Sequence, residues 1–456
     1  MGYDVRIGGQ AFPLELVIAC IVFLGFCLLA LRLRTLLFLT IVALFLPSLA
    51  LGEVVKIARL LRWAFLVAIV AKGLTTNFRL GFLPRPWTTG HRLVLALSVL
   101  VLASYSWSIS PGWTFRHGTM MIVLWVGVYV MLWNSWDSEE RITTVCTILF
   151  LVASLLFVTE FLYLLFNFEG VGPGRYAGVF LNPNGLGTAV AFLGPFVYWK
   201  LRTTENPGVR ALGRFVALVM LVSLFQSGSR SGFLGALVCM GVMFSYAGRA
   251  RLALVAGVVL VPLLLLLVFS PRLDPTILDD TRLVRAESLS HLSDRLPMWE
   301  KGFDYFLRRP LLGHGFGMNR FVEFGRANEE LFHSLNRTRG SNYHNTHLML
   351  ALDLGLVGVA LLWAFIAYVL KRGVEIYRSP RRGPIETAGV AFLAAFLALV
   401  GDSFVHGWMF SPGSSPAIVF WLVAACVLRT WSFSAAAETA EAEQREEAPA
   451  VELAAT

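Results

Sequence analysis

Four polar stretches interrupt an otherwise apolar chain, and each holds residue types able to grip an anion or move a proton. The first is Gly174-Arg175-Tyr176-Ala177-Gly178-Val179-Phe180-Leu181-Asn182-Pro183-Asn184. Arg175 is the sole cation between Gly170 and Asn184. Asn182 before Pro183 suits a helix start near Asn184, and open backbone N–H groups at such a start suit an anion; the asparagines read equally as turn residues. The second is Gly228-Ser229-Arg230-Ser231-Gly232. Its GxxxG spacing suits close helix packing, which accounts for the glycines but not for Arg230, a charge in a tight turn that needs an anionic partner or the membrane interface. The third runs from Leu292 to Leu307, where Leu292, Leu296, Trp299, Phe303, Phe306 and Leu307 recur at helical spacing. Arg295 falls on that apolar face, either snorkelling from its edge or aimed into a site. Arg308-Arg309-Pro310 closes the stretch. The Gly313-His314-Gly315-Phe316-Gly317 string beyond it follows no strand and is rejected as a dinucleotide fingerprint. The fourth is Asn342-Tyr343-His344-Asn345-Thr346-His347. Two histidines three apart suit a metal pair, hydrogen-bonded core histidines, or a general base, since neutral imidazole accepts protons near neutral pH. Asp402 and His406, four apart, can pair on one helix face, orienting the site or only each other.

The elements that must carry these residues are membrane helices. The chain has 456 residues, 57% of them hydrophobic and 15% charged, with a mean hydropathy of +0.68. Soluble domains hold about 25% charged residues, so a soluble multidomain enzyme, a disordered chain and a nucleic-acid-binding protein are excluded. The apolar residues come in blocks, most of them near the length that crosses a bilayer, about 17–25 residues. Thirteen candidate spans follow: 14–31, 35–51, 60–71, 93–109, 119–133, 142–166, 185–198, 215–225, 232–246, 252–269, 348–370, 387–400 and 417–428. The first reads as a retained helix, because no small-residue cleavage site follows it. The third is the least regular, with Lys56, Arg59 and Arg62 crowding its start. All five cysteines lie inside apolar runs and suggest no disulfide framework.

The formal charge of +9 divides unevenly: the segment from Phe433 to Thr456 holds six Glu and one Arg, leaving the rest strongly basic. The cations Arg32/Arg34, Lys72/Arg79/Arg85/Arg92, Lys200/Arg202/Arg210/Arg214, Arg249/Arg251 and Lys371/Arg372/Arg378/Arg381/Arg382 fall between alternate spans, which assigns those loops to the cytoplasm. The four polar stretches then gather on the opposite side. The expected architecture is an all-α polytopic membrane protein of about 12–13 transmembrane helices, with one membrane domain over 1–432. That domain includes a large periplasmic loop over 270–344 with amphipathic helices. The acidic, alanine-rich tail over 433–456 is expected to be disordered in the cytoplasm.

Several arginines, a histidine and an outer-leaflet helix describe a site for a lipid anion with a bulky head. Guanidinium forks match phosphate oxygens, and a diphosphate engages two or more of them. The matching reaction is attack by a hydroxyl on a sugar carbon bonded to that diphosphate. Arginines would stabilise the departing charge, a histidine would take the hydroxyl proton, and neither a metal nor another cofactor is demanded.

These residues resemble the O-antigen ligase and Wzy-type polysaccharide polymerase superfamily. The likeness rests on Arg175 with Gly178–Asn184, on Ser229-Arg230-Ser231-Gly232, on Arg295 with Trp299 and Arg309-Pro310-Leu311-Leu312-Gly313-His314-Gly315, and on His344-Asn345-Thr346-His347-Leu348 running to Gly355-Leu356-Val357-Gly358. It covers roughly residues 172–360. The resemblance implies a bacterial inner-membrane glycosyltransferase with its active site facing the periplasm. It implies an undecaprenyl-diphosphate-linked glycan donor and a saccharide acceptor on lipid A core or on a growing polysaccharide. It further implies metal-independent, inverting transfer beside other polysaccharide assembly proteins. On the matching positions His344, Arg230 and Arg295 would be catalytic, with Arg175, Asn182, Asn184, Arg308, Arg309 and His347 as diphosphate or substrate contacts. The competing reading is a transporter or flippase of the same lipid-linked oligosaccharide, whose marks would be internal repeats and broken helices; the sequence suggests neither.

Overall fold

Long apolar runs without interior breakers satisfy their backbone internally as helices, the only open-chain solution in lipid, and helices dominate the computed structural model. It describes residues 4–7, 10–13, 32–45, 63–75, 87–166, 176–180, 182–249, 287–322 and 343–454. The expected spans 14–31 and 252–269, Arg175, and much of the 270–344 loop lie outside the described residues. A hairpin of β1 (Asp4–Ile7) and β2 (Gln10–Pro13), pairing Asp4 with Pro13, precedes the helices and was not anticipated.

The helices are α1 (Leu33–Phe45), α2 (Trp63–Thr75), α3 (Thr89–Ala103), α4 (Pro111–Ser135, with a π-turn at Gly127–Leu132), α5 (Glu139–Phe166), α6 (Pro183–Thr203), α7 (Pro207–Ser227), α8 (Arg230–Tyr246), α9 (Glu287–Arg308), α10 (Thr346–Arg378), α11 (Pro384–Ser403) and α12 (Ser415–Ala454). Among the described residues seven helices are long and apolar enough to cross a membrane, and α1, α2 and α8 are shorter apolar helices. The chain is thus an all-α polytopic protein by design of its core. Helix α11 is the hub: nearly all of it is buried, against α6, α8, α10 and α12. Successive helices run in opposite directions, so the polar ends at 104–117, 182–187, 227–232 and 402–415 gather at one end of the bundle. The basic segments at 200–214 and 371–382 gather at the other.

Helix α10 does not run straight. Gly355 has φ 65° and ψ −163°, a backbone conformation open essentially only to glycine. The chain folds back there, so that His347 and Trp363, sixteen positions apart, stack with ring centroids 5.2 Å apart; a straight helix would separate them by about 24 Å. The freed backbone groups at the break are taken up by the loop after α9. Leu356 N donates to the carbonyl of Pro310 (2.8 Å), Val357 N to that of Leu311 (3.3 Å), His314 N to that of Leu352 (2.8 Å) and Gly315 N to that of Asp353 (2.9 Å). A broken helix is therefore present where the sequence suggested none. It is sealed by the 309–317 loop, which accounts for the GxGxG string: Gly313, Gly315 and Gly317 all have φ between +67° and +106°.

Two further expectations change. The apolar positions of α9 do not form a single stripe. Leu296, Phe303 and Leu307 are exposed on one side, while Met298, Tyr305 and Phe306 pack on the folded-back residues 346–354, with Trp299 beside them donating its indole N–H to the carbonyl of Tyr343 (2.7 Å). Arg295, four before Trp299, lies with the inward group. The segment 433–456, expected to be disordered, continues α12 as helix to Ala454. Its alanine and glutamate content favours helix, and its first turns are held: Ser434 Oγ donates to Glu386 (3.2 Å) and Ser379 Oγ to Glu438 (2.6 Å), while Arg381 lies 3.7 Å from both Glu386 and Glu441.

Gly355→Ala forces an alanine into a glycine-only conformation and drives its Cβ into the Leu311 carbonyl. It is expected to lower stability by about 1–3 kcal/mol, read as a lower thermal midpoint in detergent. Truncation after residue 443 leaves that midpoint unchanged, whereas truncation at Phe433 lowers it.

Candidate functional site

The polar end of the bundle is organised by three helix starts, each capped by its own sequence. Asn182 Oδ1 accepts Asn184 N (2.8 Å) at the start of α6, as the Asn-Pro signal suggested. Ser229 Oγ accepts Gly232 N (3.2 Å) at α8, after Gly228 ends α7 in the left-handed region at φ 54°. Asn345 Oδ1 accepts the N–H groups of His347 and Leu348 (2.9 Å each) at α10. Arg230 and Thr346 are therefore first residues of helices, and His344 immediately precedes a cap.

Close packing brings the first two starts together. A Cβ on Gly232 would meet Gly187 Cα at 2.6 Å, and one on Gly187 would strike Ser229. The glycines of the Ser-Arg-Ser motif thus serve helix contact, and Arg230 is carried to the crossing, half-buried. One residue beyond Gly187, Thr188 Oγ1 donates to Asp402 Oδ1 (3.1 Å). Asp402 is buried. It also receives the imidazole of His406 through Nδ1 at 2.9 Å and the Trp408 indole N–H on Oδ2 at 2.7 Å. Three donors repay much of what a lone buried carboxylate would cost.

The turn after α11 then holds the other two motifs. Arg295 Nη1 donates to the carbonyl of Val405 (3.1 Å), and Thr346 Oγ1 donates to that of His406 (2.8 Å). Arg295 and Thr346, two residues after His344, are consequently anchored to adjacent carbonyls. His344 has φ 47°, the sole non-glycine with positive φ among the described residues. Such strain persists where the surroundings over-determine it, and it clusters at functional sites. Burial lowers the imidazole's affinity for a proton, and Arg295, His406 and Arg320 lower it further. Burial also weakens the charged form of Arg295, an effect that Asp402 opposes. A histidine kept neutral beside an arginine fork can accept a proton while the fork binds an anion.

Not every expected residue joins this cluster. Arg175 lies outside the described residues. Its loop is held by the buried carboxylate of Glu160, which accepts Val179 N (2.9 Å) and leaves no room for a Cβ on Gly178. His347 places Nε2 3.1 Å from Ser403 Oγ and packs between Trp363 and Phe404, the setting of a structural histidine. Arg308 lies over the Tyr305 ring at 4.5 Å, and Arg309 donates to the carbonyl of Trp107 (3.1 Å). Both sit about 20 Å along α9 from Arg295, so the structure does not bring them to it. Asp353, the acid nearest the histidines in sequence, instead accepts Asn319 N (2.6 Å) and Nδ2 (2.8 Å), pinning the loop that carries Arg320. Thr188 and Arg320 gave no sequence signal of their own; the pairing of Asp402 with His406 was legible from their spacing.

Residues 215–363 match the family described as O-antigen ligase. The resemblance carried by the motifs is thereby borne out, and the matched stretch holds Arg230, Arg295 and His344. A protein of Rickettsia prowazekii (strain Madrid E) named "Putative polysaccharide ligase RP358" is 24% identical over 273 residues, covering 56% of this chain and 63% of that protein. The chain thus spans somewhat under two thirds of that relative's length.

Because the folded state holds His344 less protonated than the unfolded chain does, its contribution to stability is complete above the ordinary histidine value of about 6.5. It declines as pH falls below that value. Arg295→Gln removes one charge facing the ring, so the His344 titration, followed by NMR, moves to higher pH.

Proposed function

We propose that this chain is an inner-membrane glycosyltransferase that moves a glycan from an undecaprenyl-diphosphate-linked donor to a sugar hydroxyl on the periplasmic side. The observation that carries the reading is that Arg295 and Thr346, two residues after His344, bond the neighbouring carbonyls of Val405 and His406, at the end of the bundle opposite the basic segments. The excess of Lys and Arg on those segments assigns them to the cytoplasm, so the site faces the periplasm.

In this reading Arg230 and Arg295 hold the diphosphate. The acceptor oxygen attacks the anomeric carbon from the face opposite the leaving group, and the bond from that carbon to the diphosphate oxygen breaks. The electron pair leaves with the diphosphate, whose growing charge the guanidinium groups stabilise. His344 accepts the hydroxyl proton. A single displacement of this kind inverts the anomeric centre and uses arginines where other transferases use a metal. Membrane lipid delivers the donor, and the acceptor is lipid A core or a growing polysaccharide, with other assembly proteins on either side of the step.

A transporter or flippase of the same lipid-linked sugar draws support from the break at Gly355, since broken helices build transporter sites. The break is closed by the 309–317 loop rather than facing a second broken helix among the described residues, which favours the enzyme.

Purified protein in vesicles with a lipid-linked oligosaccharide and an acceptor glycan tests both. Arg230→Ala, Arg295→Ala and His344→Ala are each expected to lower transfer by about 10²–10³-fold at normal protein levels. Wild-type turnover in these variants overturns the assignment, and translocation without a new glycosidic bond establishes the transporter. The product separates the two enzyme types: one glycan block on lipid A core, or a ladder of longer lipid-linked chains.

A further inference from the structure

We propose that α9 and the Leu311-Leu312 step after it are seated in the surface of the membrane as an in-plane helix. Phospholipid acyl chains cover its outward stripe, and the arginines at its end hold headgroup phosphates. This seating holds whatever reaction the neighbouring site performs.

Two anchors fix the direction of the helix. Arg295 Nη1 donates to the carbonyl of Val405 (3.1 Å), in the turn after α11. Just past the end of α9, Arg309 Nη1 donates to the carbonyl of Trp107 (3.1 Å), and Trp107 returns its indole N–H to the carbonyl of Leu312 (3.0 Å). Trp107 closes the polar end of α3. Both anchors therefore lie at the same end of the bundle, about 20 Å apart along α9. The helix runs across that end, parallel to the bilayer plane, rather than along the spans.

The side of α9 turned away from residues 346–354 carries Leu296, Phe303 and Leu307, which are 56%, 53% and 56% exposed, and Leu311 beyond them is 64% exposed. A row of large apolar side chains of this kind marks a partner surface. What covers it follows from α3. That helix is long and apolar enough to cross the membrane, and Leu95, Val99, Leu102 and Tyr105 stand exposed along it at helical spacing, the side left to lipid. Trp107 follows two residues after Tyr105, and its bond to Leu312 joins this lipid-facing row to the row on α9. At the join, Tyr105 meets the exposed ring of Phe115 with centroids 6.2 Å apart. Tyrosine and tryptophan are the residue types that collect where membrane meets water. Glu300 and Asp304 stand exposed on the flank of the stripe, the polar side that an interfacial helix turns to water. Arg308 and Arg309 are both exposed where α9 meets α3. Arg309 spends one of its five N–H groups on Trp107, and guanidinium forks match phosphate oxygens.

Full-length protein in nanodiscs tests this without passing through glycan transfer, so failure here and failure of the transferase reading are told apart. Nitroxide labels on Phe303→Cys and Leu307→Cys, read against the labelled wild-type background, are expected to meet oxygen more than a water-soluble nickel chelate. A label on Asp304→Cys shows the reverse. Equal nickel access at the three positions overturns the proposal. Dipolar broadening between Leu307→Cys labels, in discs holding more than one protein, places a second copy on the stripe and also overturns it. Hydrogen exchange of the wild-type amides over 296–307 is expected to be slower in phosphatidylglycerol discs than in phosphatidylcholine discs, by about fivefold for each arginine engaged. Arg308→Gln loses one such factor while keeping the Arg309–Trp107 bond. Wild-type exchange indifferent to phosphatidylglycerol overturns the headgroup contacts and needs no variant to fold.

Discussion

The geometry of the polar end depends on one backbone constraint, the reversal of α10 at Gly355. A helix broken near its end leaves N–H and C=O groups that lipid cannot satisfy. The 309–317 loop supplies partners for those at residues 352, 353, 356 and 357. This exchange folds residues 346–354 back over the bundle, brings His347 against Trp363, and sets His344 at the rim rather than in the hydrocarbon. The three positive-φ glycines of the loop and the Asp353–Asn319 bonds are the other half of the same joint. Without the reversal, α9 would have no surface for Met298 and Phe306, and Arg295 would not reach the turn after α11.

Electrostatics at this end follows from an unequal distribution of partners. Asp402 gathers three donors and lies within electrostatic reach of Arg295. Arg295 spends one N–H on a carbonyl, which leaves most of its five donors for other contacts. Arg320 acts on His344 by its field while remaining exposed. The result is an imidazole that stays neutral where arginines stay charged, a combination suited to binding an anion and taking a proton in the same place.

Much of this was readable from residue types. Helices α3 to α8, α11 and the start of α12 follow from apolar blocks bounded by Asn-Pro, Gly and basic residues, because bilayer thickness and backbone satisfaction leave few alternatives. The cap at Asn182 and the pairing of Asp402 with His406 follow from local spacing, whereas the cap at Ser229 shows only in the structure. What escaped was non-local. Gly355 looks like any small residue in an apolar run until its φ is known. The two faces of α9 cannot be told apart from periodicity, since both are apolar and only tertiary contact decides which turns inward. Thr188 and Arg320 act through partners more than twenty residues away. The tail showed how composition misleads: too few large side chains for a core, yet ample helix propensity and a few side-chain bonds to continue α12.

The small cluster under α9, made of Phe306, Val322, Tyr343, Met349, Ala351 and Leu352, is separate from the main core. Lifting α9 off the folded-back segment uncovers that patch, while Leu350 and Leu354 hold the segment itself to the main core. Cooperative units of this size open at a fraction of the global cost. Helix α9 is thus the part of this end that can separate from the bundle at the least cost in buried apolar surface.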